Sequence, residues 1–173
     1  MTRDQVLARF ADERAVFDAK VRAIPAEKLT ARVPGFAHSV SEVVVHVGAY
    51  EALIVERLRA ARRAEATEFD RDREGWEAFN ERVWAKAHAV APADALAEAG
   101  EVFGELLDEV AALTDDELAG AVGVSAVLDP AWLDGRTLAE LLAIDGYDHY
   151  PMHYPLLDAA AGEWGTRPPE RRP

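Results

Sequence analysis

Apolar residues recur along this chain at the three- and four-residue spacing of an α-helix, and no stretch alternates convincingly as a strand would. Val6, Phe10, Phe17, Val21 and Ile24 mark one face of a first helix; Thr2 and Gln5 open it as a capping box, and Pro25 ends it. A connector through Leu29 and Val33 turns at Pro34-Gly35. Ser39 and Glu42 form a second capping box, followed by a stripe of Val40, Val43, Val44, Val47, Leu53, Ile54 and Leu58. The valines at 43–45 sit between that cap and a continuing helical pattern, so helix wins over strand there. The charged run 57–65 reads as a solvated face, and the acidic stretch 67–75 as a loop.

A third helix is expected from Trp76 through Phe79, Val83 and Trp84 to His88. Ala91-Pro92 interrupts it, with Pro92 suited to the first turn of a continuation through Leu96, Val102, Phe103, Leu106, Leu107 and Val110 to Leu113. Residues 114–136 form a long connection of the kind that often builds a binding site, with Trp132 and Leu133 folding back over the core. Thr137 and Glu140 cap the last helix, packed by Leu138, Leu141, Leu142 and Ile144. The pattern predicts an all-α fold whose simplest form is a four-helix bundle. Residues 1–162 make one domain and residues 163–173 a flexible tail.

Composition narrows the function. The net charge of −13 argues against nucleic acid and against an anionic membrane surface, and otherwise speaks to solubility. The N-terminal segment is charged and amphipathic rather than a signal peptide, and no apolar run approaches the roughly 20 residues that span a bilayer. A cytoplasmic location is expected. The chain has no cysteine, so a metal site must use His, Asp or Glu, and no cysteine nucleophile exists.

The candidate chemistry lies in DGYDHYPMHY, residues 145–154. His149 and His153 are four apart, which on a helix stacks their imidazoles one turn from each other. Pro151 and Pro155 flank His153 and leave that geometry open. His46 sits inside the apolar stripe of the second helix; it is either a core histidine bonded to a carbonyl or a third ligand converging with the pair. Asp145, one turn before His149, reads either as a carboxylate orienting an imidazole or as a solvated charge. Tyr50, Tyr147 and Tyr150 are either substrate donors or packing residues. His88, near a helix end, reads as structural. Trp76, Phe79, Trp84 and Trp132 would line an apolar interior able to hold a small molecule.

Three segments, SVSEVVVHVGAYE, FNERVWAKAH and GRTLAELLAIDGYDHYPMHY, resemble the DinB/YfiT-like superfamily of bacterial bundle proteins, and most closely its DinB_2 and ClbS/DfsB-type branch. The resemblance covers about residues 3–160. It implies an antiparallel four-helix bundle with a long crossover connection, and a homodimer. It also implies a divalent metal, zinc or nickel, on one histidine of the second helix and a His-x-x-x-His pair of the last; the matching positions are His46, His149 and His153. The family's usual Trp-Ser falls on His38 and Ser39, which leaves His38 near the site mouth as a cap neighbour or substrate contact. Relatives of this kind include thiol transferases using bacillithiol, mycothiol or glutathione, a mycothiol-dependent maleylpyruvate isomerase, and self-protection proteins acting on reactive natural products. The resemblance therefore implies a metal-dependent enzyme that transfers a small thiol such as mycothiol to a small electrophile, or hydrolyses it. Metal would sit on His46, His149 and His153, with Asp145 and Tyr50 assisting, and His38, Trp84, Trp132 and Tyr150 contacting substrate. The alternative is a protein that sequesters a small apolar or reactive metabolite without metal catalysis.

Overall fold

The computed structural model describes residues 1–71 and 75–164. Nine α-helices follow one another among them: α1 (Arg3–Arg22), α2 (Val40–Arg62), α3 (Glu68–Arg71), α4 (Trp76–Ala87), α5 (Pro92–Ala111), α6 (Asp115–Ala119), α7 (Pro130–Leu133), α8 (Leu138–Leu142) and α9 (Tyr150–Trp164). No strand occurs among the described residues, beyond an isolated bridge between Arg32 and Ser39. The expected capping boxes form at Thr2/Gln5, Ser39/Glu42 and Thr137/Glu140. A fourth, Thr114/Glu117, starts α6 inside the connection expected to be irregular. Pro92 occupies the first turn of α5, where its missing N–H is no loss.

The four long helices α1, α2, α5 and α9 enclose a core that includes Phe10, Phe17, Leu58, Leu106 and Leu157. Their directions follow from paired residues. Along α1 and α9, Arg9 pairs with Asp148, Glu13 with Tyr154 and Lys20 with Asp158, so these helices run parallel. Along α2 and α5, Gly48 faces Ala99 and Arg59 reaches Glu105 and Glu109, so they too run parallel. Between α2 and α9 the order reverses, with Glu51 meeting Tyr150 and His46 lying against His153. Two neighbouring pairs are therefore parallel, as the expected long crossover connection requires. Parallel neighbours need a return connection, and α4 is that crossover. It was expected as the first half of the third bundle helix; instead it runs back along α2, and α5 alone takes the third position.

Three other expectations change. The stretch read as a loop after α2 contains α3. Arg57, assigned to a solvated run, is only 2% exposed as a side chain and pairs with Asp70 through two nitrogens. Phe69, Trp76 and Trp132 lie around its guanidinium, so its charge is balanced and its flat faces are covered. The last helix is broken. A π-type turn over Ala143–Tyr147 is broken at Gly146, whose φ of −113° and ψ of −106° leave the helix. A Cβ on Gly146 would lie 2.5 Å from ring atoms of Phe10, so the backbone passes where only glycine fits. The extra residue in the turn shifts the helical phase. Ile144, expected to pack, is 49% exposed. The kink thus falls before both histidines, and Pro151 sits in the first turn of α9, where it does no harm. α9 continues through Trp164, beyond the point where the tail was expected to begin; the rest of that tail lies outside the described residues.

Candidate metal centre

His46 on α2, His149 in the turn entering α9, and His153 in the first turn of α9 converge. The Nε2 atoms of His46 and His149 are 3.3 Å apart, and those of His149 and His153 are 3.1 Å apart. Two nitrogens bound to one tetrahedral ion at about 2.05 Å lie about 3.3 Å from each other, so these two spacings match such a site, and all three donor atoms lie within 4.8 Å of one another. Protons alone satisfy this cluster poorly. His149 Nε2 lies against both partners, and a nitrogen that carries a proton cannot also accept one. A cation would use all three lone pairs at once.

The electrostatics agree. Burial, reinforced by the neighbouring imidazoles, lowers the pKa of His46 to about 2 and of His149 to about 3. Burial, with His38, lowers that of His153 to about 4. All three rings are therefore neutral near pH 7, the form that ligates metal. With no carboxylate or thiolate among the donors, the set suits zinc or nickel better than calcium or magnesium.

Helix α4 is fastened over this cluster by one stripe of residues four apart. Asn80 accepts from the Tyr50 hydroxyl at 3.1 Å, Trp84 stacks on His46 with centroids 4.2 Å apart, and His88 pairs with Glu42. The matching stripe on α2 is Tyr50, His46 and Glu42, running the other way. His38 stacks on the far face of Trp84 at 3.7 Å. His88 is thus structural, as expected, and Trp84 and His38 wall the site. The Tyr50 ring borders His149 at 4.3 Å and His46 at 4.9 Å, and burial raises its hydroxyl pKa, keeping it protonated.

Other expected site residues lie elsewhere. Asp145 does not orient an imidazole: the break at Gly146 turns it toward Trp132, whose indole N–H donates to it at 2.8 Å, with Arg57 3.8 Å away. Trp132 is accordingly held in the Arg57 cluster rather than at the imidazoles. Tyr150, expected against substrate, is 1% exposed and gives its hydroxyl to Glu51 in the core. Glu51 and Arg14 were missed, although both interrupt apolar stripes in the sequence and so signalled a buried pair.

A family model of the DinB superfamily matches residues 9–150, and the chain belongs to that superfamily. The matched range includes His46 and His149 and stops before His153. No curated protein matches the chain. Among solved structures, the crystal structure of an uncharacterised protein from Escherichia coli UTI89 aligns with a TM-score of 0.78 at 17% identity, covering 94% of each chain. At that identity the likeness shows the shared fold.

Proposed function

We propose that this protein is a divalent-metal enzyme that joins a small thiol, such as mycothiol, to a small electrophile, or hydrolyses that electrophile. The observation carrying this reading is the meeting of three neutral imidazole Nε2 atoms beside the protonated hydroxyl of Tyr50. His46, His149 and His153 would hold the ion, which when bound supplies Lewis acidity that makes a thiol or water nucleophilic near neutral pH. The chain has no cysteine, so a thiol nucleophile has to be borrowed. Tyr50, released from Asn80, would donate to an oxygen of the electrophile as charge develops there. Trp84 and His38 exclude water from one side of the cluster. The test is a panel of electrophiles assayed with and without mycothiol, before and after chelation. Turnover that survives complete metal removal rejects the role given to the ion.

A second reading rests on a cavity of about 760 Å³ on the opposite side of α4, between α2, α4 and α5. Val44, Leu53, Phe79, Val83 and Val102 give it apolar walls, and Glu56, Glu68, Arg82, Lys86 and Glu98 also line it, a mixture suited to holding a small molecule with both apolar and polar parts. Stoichiometric protection against a reactive compound, without product, would favour sequestration there over catalysis.

A further inference from the structure

One buried polar cluster ties all four long helices together at a single level. Arg14 of α1 donates through Nη1 to both oxygens of Glu51 on α2, at 2.9 and 3.0 Å. Its Nη2 donates to the Ala99 carbonyl of α5 at 3.0 Å, and its Nε to Asp18 at 2.9 Å. From α9, the Tyr150 hydroxyl donates to Glu51. Tyr150 directly follows His149, and Glu51 lies little more than a turn beyond His46.

The break at Gly146 makes this junction consequential. Because the backbone leaves the helix there, α9 does not inherit its position from α8. Leu156, Leu157 and Ala160 bury its later turns, but apolar burial is non-directional and tolerates sliding. The contacts of α9 with Arg9 and Lys20 of α1 are ion pairs with exposed partners, which constrain little. In the first turn, Pro151 and Met152 are exposed, and just beyond them the half-buried Tyr154 hydroxyl donates to Glu13 of α1; among the described residues the fully buried directional contact, besides the imidazoles, is that of Tyr150 to Glu51 on α2. Ligands to one ion need placement to about 0.5 Å.

We infer that Tyr150, Glu51 and Arg14 are positioning residues: they set the axial register of α9 against α2 and thereby bring His149 and His153 onto His46. This rests on the metal reading of the triad but asks a separate question, namely what holds the ligands in place.

The test compares full-length wild type with Tyr150→Phe and Glu51→Gln, at a temperature where all are folded. Tyr150→Phe keeps the ring against Phe17 and removes the hydroxyl. It should bind zinc about tenfold more weakly, as loss of a contact that orients ligands does, and should alter the visible absorption of bound cobalt(II). Glu51→Gln still offers an oxygen to Tyr150, so it should lower the melting temperature more while leaving the cobalt spectrum close to wild type. Tyr150→Phe with wild-type affinity and spectrum, and only a lower melting temperature, overturns the inference. A wild type that takes up neither ion overturns the metal reading instead. Register is then read in metal-free protein by nuclear Overhauser contacts between the His46 and His149 rings, which should be present in wild type and lost in Tyr150→Phe; their survival also overturns the inference.

Discussion

Two polar clusters meet in the interior at adjacent residues of the chain, and they solve burial in opposite ways. Around Tyr150, unlike groups complete one another: a cation, a carboxylate, a hydroxyl and a backbone carbonyl pair off within the protein. Around His149, three like groups point the same kind of atom at one spot. Imidazoles cannot neutralise one another, and their pKa values fall because any charge placed there would be buried and repelled. His46 Nδ1 is also buried with no partner. A self-satisfied cluster serves the fold, whereas three converging imidazoles form a group that could hold a metal ion, set in register by the first.

The comparison breaks most visibly at Glu51. Replacing it with alanine leaves the Arg14 charge buried without its main partner and should destabilise the protein by about 3–5 kcal/mol. Urea unfolding measures this directly. The double variant Arg14→Met/Glu51→Leu should recover most of the loss, because the uncompensated charge is gone. A single-variant loss below about 1 kcal/mol would mean that the pair is not buried as described.

At the triad, the same kind of truncation should leave the apo fold nearly untouched. His153→Ala removes one of three ligands, and its cost appears only through metal linkage. At a metal concentration 100 times the dissociation constant, binding stabilises wild type by about 2.7 kcal/mol. Chelation should therefore lower the melting temperature of wild type but not of His153→Ala or His46→Ala. His88→Ala should respond like wild type. Equal metal affinity in all four would reduce the triad to packing.

Acid should separate the clusters further. The three imidazoles have folded pKa values of about 4, 3 and 2, below the ordinary value near 6.5. Above pH 6.5 both folded and unfolded chains hold them neutral. As pH falls below 6.5 the unfolded chain takes up protons that the native state refuses, so metal-free stability declines down to the folded pKa values. Each such group contributes up to about 1.4 kcal/mol per pH unit. Unfolding free energies measured between pH 7 and 5 in chelator should fall less steeply for His149→Gln than for wild type. Identical slopes would place His149 in contact with solvent.

Much of this was legible before the fold was known, for physical reasons that also mark the limit. Capping boxes and apolar stripes are local, so α1, α2 and the start of α8 stand where Thr2, Ser39 and Thr137 predict them. The histidine pair was legible because its spacing is local too. The break at Gly146 was not: the backbone there passes against the Phe10 ring, near the other end of the sequence, which leaves no room for a side chain. With that break, Asp145 faces Trp132 rather than the imidazoles, and Ile144 is exposed. The role of α4 was hidden likewise, because its stripe of Asn80, Trp84 and His88 means something only once parallel α2 and α5 force a crossover between them. Arg14 and Glu51 were different. Each stands in line with buried apolar residues, Phe10 and Phe17 for one and Val47 and Ile54 for the other, and opposite charges on two such stripes already indicate a buried pair.

The smallest expected effect concerns that cover. Trp84 donates no ligand, so Trp84→Ala should change metal affinity little. Its indole nonetheless lies flat on His46, within 13° of parallel, with His38 closing the other face. A chelator must approach the ion past these rings or past His153, the most exposed of the three imidazoles. If α4 is the barrier, removing the indole should speed extraction of bound metal several-fold in a stopped-flow chelation experiment, while the equilibrium constant stays within about threefold. Trp84→Phe, which retains a flat ring, should fall between the two. Extraction at the wild-type rate in both variants would locate the entrance beside His153 and leave Trp84 with packing alone.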